Sequence, residues 1–123
     1  MRIKSEIWVS AYLRRCQAQG VPVVIARRGD EAAGAIFICI DRLDGTMLLY
    51  GPAPAGLVGS ETERCWMISF GNRAVSLIEV QEYLARQREF DPDLWIIEVA
   101  DKAGRHFLDD AALDTGEEQG STD

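Results

Sequence analysis

The sequence predicts a single α+β domain: a mainly antiparallel sheet of about five strands with two helices packed on it, in the order α-β-β-β-β-α-β(-β). Three observations predict it. Ala35 to Ile40 is apolar at every position, not at every second one, so this strand is covered on both faces. The β-rich segments follow one another through short turns, which favours antiparallel pairing. Two stretches with helical periodicity and start signals, one early and one past residue 75, supply the covering helices.

Taken in order, Ser5 is placed to cap a helix beginning at Glu6, whose charge suits the positive helix end. Trp8, Val9, Tyr12, Leu13 and Cys16 share one helical face, Gly20 supplies a left-handed stop, and Pro22 prevents continuation. Val21 to Arg28 reads as a strand, with Pro22 confined to its start or to a sheet edge. After a polar loop, Ala35–Asp41 and Thr46–Tyr50 form a hairpin about Asp44-Gly45, where glycine reaches positive φ freely. Gly51-Pro52-Ala53-Pro54 starts a stiff connection running to about Glu63, and Arg64 to Phe70 is the next strand, turned by Gly71-Asn72. Ser76-Leu77-Ile78-Glu79 is a capping box, with Val75 and Val80 at the staple positions. Leu77, Val80, Tyr83 and Leu84 make the buried face of this second helix, which ends by Phe90 because Pro92 disfavours helical geometry at Asp91. Leu94 to Ala100 is the last strong strand, and Arg105 to Leu108 is expected to return as a short one. The domain spans residues 1–112. Residues 113–123, rich in Gly, Glu, Ser, Thr and Asp, are expected to be a disordered acidic tail.

Composition is that of an ordinary globular chain, 47% hydrophobic and 27% charged. No apolar run approaches the 18 or more residues, roughly, of a membrane span, and the start lacks a secretory signal, so a cytoplasmic location is expected. The net charge of −7 argues against general nucleic-acid binding, although residues 1–30 carry a local charge of +4. Cys16, Cys39 and Cys65 lack metal-ligand or redox spacing and are expected as reduced thiols.

No catalytic constellation stands out. His106 is the sole histidine, serines lack a nucleophile-elbow context, and no phosphate-binding glycine loop is present. Asp91-Pro92-Asp93 and Asp109-Asp110 place carboxylates close together, which suits a hard cation, but Asp is also the residue favoured for local turn bonding. The basic residues are the remaining lead: Arg14-Arg15 and Arg27-Arg28, and Arg86 with Arg88, carry guanidinium forks that fit carboxylate or phosphate. The candidate ligand or partner site is therefore Arg27, Arg28, Arg86, Arg88, Asp91 and Asp93, with no catalytic residue, metal or cofactor assigned.

Three blocks of sequence carry a family resemblance. They are Ala85 to Trp95 continued by Gly104 to Asp110, Lys4 to Val9 with Tyr12 to Arg15, and Arg42 to Gly45 with Gly51 to Pro54. On these residues the chain resembles a bacterial family known as domain of unknown function 1491. The resemblance implies a small bacterial protein and assigns no activity or catalytic residue. The functional expectation is a cytoplasmic binding or assembly module without catalysis. The alternative is a small anion-binding protein or enzyme using the arginines with Asp91 or Asp93. Self-association as a two-fold dimer is expected if both helices lie on the same side of the sheet and leave the other face to water. One helix on each face, or cover by the long loop over 52–63, would remove that need.

Overall fold

A strand that is apolar on both faces needs two covers, and in this chain each is a helix. The computed structural model describes residues 3–53, 64–108 and 112–113. They form α1 (Ser5–Ala18), β1 (Val23–Arg27), β2 (Ile36–Asp41), β3 (Met47–Pro52), β4 (Trp66–Ile68), a 3-10 turn (Phe70–Asn72), α2 (Leu77–Phe90), β5 (Trp95–Ala100) and the two-residue β6 (Ala112–Leu113). The sheet order is β1-β5-β2-β3-β4-β6. β1/β5, β2/β3 and β3/β4 pair antiparallel, whereas β2/β5 and β4/β6 pair parallel, so the sheet is mixed and mostly antiparallel.

The two faces sort residues by parity, as alternating strand side chains must. Ile36, Ile38 and Ile40 of β2 join Trp95, Ile97 and Val99 of β5 beneath Val9, Tyr12 and Cys16 of α1. Phe37 and Cys39 join Leu49, Leu94 and the half-buried Ile96 beneath Val80 and Leu84 of α2. Burying each such aliphatic side chain is worth roughly 1.5–3 kcal/mol, so β2 and β5 are the energetic centre of the fold. One helix therefore lies on each face, and the sheet needs no second chain to cover it. That removes the uncovered face on which the expectation of a dimer was based.

Helix α1 stops as the sequence requires. Gly20, at φ +74°, donates its N–H to Gln17 O, and Val21 donates to Cys16 O, the paired bonds of a Schellman end. Its start differs from expectation. The helix begins at Ser5, and Ser5 caps nothing. The first backbone donors instead meet carbonyls of the loop after β1: Ser5 N–H donates to Ala32 O and Glu6 N–H to Glu31 O. This frees the fully buried Ser5 hydroxyl to donate to Gly34 O at 2.7 Å and to accept from Arg64 Nη2 at 2.9 Å. Helix α2 starts as read: Glu79 N–H donates to Ser76 Oγ at 3.2 Å, Ser76 N–H to Glu79 Oε1 at 3.1 Å, and the flanking Val75 and Val80 are buried.

Four further expectations are corrected. Leu77 is exposed at the start of α2, although helical spacing puts it on the face of the buried Leu84. The fourth strand is only Trp66–Ile68, because Phe70 and Gly71 both take left-handed φ and cannot extend it. Gly51 and Pro52 end β3, opposite Met67 and Trp66, and do not begin a free connection. Arg105 to Leu108 is irregular, with Phe107 at φ +57°, and the sixth strand lies at Ala112–Leu113. The expected connection over 54–63, the Asp109-Asp110 pair and the tail over 114–123 lie outside the described residues. Among the described residues no helix is long and apolar enough to cross a membrane.

Candidate functional site

The six residues singled out from sequence fall on two elements and the loops beside them. Arg27 ends β1 and donates through Nη2 to the carbonyl of Pro92, which ties the first strand to the Asp91–Asp93 turn. Arg28 pairs with Glu6 Oε2 at 3.3 Å and lies 5.0 Å from the centre of the Trp95 ring. The loop carrying Arg28 is clamped to the same turn: Asp30 N–H donates to Asp93 O at 2.9 Å, and Trp95 Nε1 donates to Asp30 O at 2.8 Å. Asp91 closes α2, and its Oδ1 accepts from Asp93 N–H, the local turn role open to aspartate. Asp93 is exposed. Arg86 and Arg88 stand exposed on α2 with no hydrogen-bond or ion-pair partner among the described residues. Arg27, Arg28, Asp91 and Asp93 thus belong to one joint in which both arginines already hold partners, and Arg86 and Arg88 face solvent.

The feature that sequence reading missed lies on the α2 side of the sheet. Between helix α2 and the β2-β3-β4 side of the sheet lies an open groove of about 620 Å³. Phe37, Gly51, Pro52 and Met67 line it from the sheet, Phe70 from the 3-10 turn, and Tyr83, Gln87 and Phe90 from the helix. The last three follow at four- and three-residue spacing, so one stripe of α2 forms its wall. Gly51 is required by the floor: a Cβ there would come within 2.6 Å of the Phe37 ring. Phe37 meets Tyr83 edge-on at 6.5 Å, and Phe70 lies 5.2 Å from Tyr83. Phe90, at the rim, is 83% exposed, the largest fraction among the exposed large apolar residues.

Phe70 adopts φ +61°, a region that costs a non-glycine residue roughly 1–3 kcal/mol. It is followed by Gly71 at φ +62°, so two successive left-handed residues hold the aromatic wall in place. The polar residues lining the groove are Ser69, Tyr83, Gln87 and Asp91. This is the make-up of a contact surface: aromatic area with a few orienting polar groups.

Several other titratable groups hold structural places. His106 Nδ1 accepts from Leu108 N–H at 2.8 Å, and its ring meets Tyr50 at 5.2 Å. Tyr12 Oη donates to His106 O at 2.6 Å, and burial pushes its phenol well above the ordinary range. Burial likewise pushes the Cys39 thiol up to about 12 and raises that of Cys16. Arg105 grips Asp101 with both Nε and Nη2, at 3.1 and 2.8 Å, and holds its carboxyl below the usual range. Among the described residues no group of three or more His, Cys, Asp or Glu could hold a metal ion.

The chain matches the family model described as protein of unknown function (DUF1491) over residues 3–109. It is similar to the crystal structure of a DUF1491 family protein from Caulobacter crescentus CB15. The identity is 33%, over 92% of this chain and 99% of that one, with a TM-score of 0.75. It is also similar to the solution structure of protein Atu0922 from A. tumefaciens, at 40% identity over 81% of this chain and 86% of that one, with a TM-score of 0.71. No curated protein matches it.

Proposed function

We propose, from the premise that the chain belongs to the DUF1491 family, that it is a non-catalytic binding or assembly module whose contact surface is the groove between α2 and β3–β4. One observation carries this reading: an open aromatic groove whose wall residue Phe70 is held in a costly left-handed conformation. Backbone strain persists only where the surroundings over-determine it, and such places cluster at functional sites. An exposed aromatic surface with few charges in it is what protein contact sites are made of. A cytoplasmic setting fits the three free thiols.

The second reading, an anion site built on arginines, draws support from Arg86 and Arg88, both exposed and without partners among the described residues. Arg27 and Arg28 would have to leave Pro92, Glu6 and Trp95 to take part.

The test is a titration followed by NMR, with the Met67 methyl and the aromatic rings as reporters. Short aromatic-rich peptides should give saturable shifts at Met67, Phe37 and Tyr83. Shifts confined to residues outside the groove would overturn the reading. Inorganic phosphate, followed at the arginine Nε resonances, tests the rival in the same sample.

A further inference from the structure

We propose that the occupant of the groove is a second copy of this chain: the exposed Phe90 of each protomer enters the other's groove across a two-fold axis beside the last turn of α2. The proposal rests on the reading of the groove as a contact surface and names what fills it.

Three observations on the same end of α2 carry it. First, a projection and a recess lie side by side, because Phe90 stands at the rim of the groove and is 83% exposed. A patch that holds both is self-complementary, and a two-fold axis at the rim satisfies both copies at once. Second, the recess has the character of its filler. Phe37, Phe70 and Tyr83 are already arranged edge-on or tilted to one another, the geometry in which a further ring packs favourably.

Third, the charges around the patch complement themselves. Arg86 and Arg88 are exposed and have no partner among the described residues, and Glu89 is exposed one residue before Phe90. Two α2 helices meeting antiparallel about their last turns bring Arg86 of one copy opposite Phe90 of the other. Arg86 then lies within a residue of the partner subunit's Glu89, where it can pair with the carboxylate and cover the ring. Each contact occurs twice by symmetry.

Light scattering coupled to size exclusion, run from micromolar to millimolar protein, tests this. The full chain should show a mass of twice 13.7 kDa at the upper end of that range. Phe90→Ala removes only an exposed side chain, so it should remain folded by circular dichroism and weaken dimerisation at least tenfold. Arg86→Glu and Glu89→Arg should each be monomeric alone, yet an equimolar mixture of the two should recover the dimer mass, since the mixed pair restores both contacts. A wild-type mass of 13.7 kDa at every concentration would overturn the proposal. So would a dimer untouched by Phe90→Ala, or mixed variants that stay monomeric. None of these would remove peptide shifts at Met67, so failure of the occupant and failure of the groove reading remain distinguishable.

Discussion

Gly29→Ala should be the most damaging small substitution in the described loops, and the reason is a close approach and not a dihedral. Gly29 lacks the left-handed φ that marks Gly20, Gly45, Gly71 and Gly104. Its Cα instead lies against the Asp91–Asp93 turn. A Cβ there would stand 2.7 Å from Leu94 C and 2.7 Å from Trp95 Cδ1, and closer still to the carbonyl oxygen of Asp93. None of these can swing away: two are backbone, and Trp95 is fully buried. The two loops must part, which strains the 2.9 Å bond from Asp30 N–H to Asp93 O and the 2.8 Å bond from Trp95 Nε1 to Asp30 O. Overpacking costs about 1–3 kcal/mol and each of the two weakened hydrogen bonds about 0.5–1.5, so the sum is about 2–6 kcal/mol. Gly45→Ala is the control. Gly45 sits at φ +90° with open space around it, so alanine there meets only the left-handed penalty of about 1–2 kcal/mol. Urea midpoints for both variants measure the difference, and tryptophan emission should shift in Gly29→Ala alone. If Gly29→Ala costs no more than Gly45→Ala, the reasoning from close approach is wrong.

Ser76→Ala and Glu79→Ala should each destabilise the fold, the first by about 1 kcal/mol, and the double variant should fall short of their sum because both serve one cap; denaturant midpoints for the full cycle check this. Asp101 is held below the ordinary carboxylate range chiefly by its hydrogen bonds to Arg105. Its contribution is therefore present above the unfolded value of about 4 and is lost as pH falls through the folded one, so Asp101→Asn should flatten the acid limb of a stability–pH curve, and an unchanged limb would refute the assignment. Thiol modification at pH 8 should reach the half-buried Cys65 first and Cys39 last, because burial keeps the Cys39 thiol protonated up to about 12; equal rates at the two would contradict its burial.

What could be read in the sequence is what is decided by neighbours in the chain. The capping box needs only residues 76–79, and the end of α1 needs only Gly20, so both were legible. The unbroken apolar run of β2 stated that the sheet has two covered faces, and it does. Ser5 shows the limit of such reasoning. A serine before a helix reads as a cap, but carbonyls of residues 31 and 32 arrive from elsewhere and accept from the Ser5 and Glu6 N–H groups, the helix starts one residue earlier, and the Trp8 N–H that a Ser5 cap would serve donates to Lys4 O. The parallel pairing of β2 with β5 has no local signature either, since Ile36 and Trp95 meet across nearly half of the chain. The groove is assembled from Phe37, Gly51, Phe70, Tyr83 and Phe90, five positions on three elements and a turn, so only the three- and four-residue spacing of its helical wall lies within one stretch of sequence. Arginine composition pointed to Arg27 and Arg28, but it could not say that a backbone carbonyl and an indole already occupy them.

The place of β5 in the sheet has a consequence for how the chain folds. β5 comes after every other long element, yet it lies between β1 and β2 and joins them. Until it arrives, β1 has no partner and the β2–β3 hairpin presents an open edge on its Ile36–Asp41 side. The hairpin is local and can form within microseconds or so. Joining β5 to both neighbours closes loops of some sixty residues or more, so these contacts are entropically late. The rate-limiting event is then the insertion of the Trp95–Ala100 segment into a waiting slot. A nascent chain that has emerged only as far as α2 carries the unpaired β1 strand and a partial sheet whose β2 edge is open, which is the stage at which it is most exposed to aggregation.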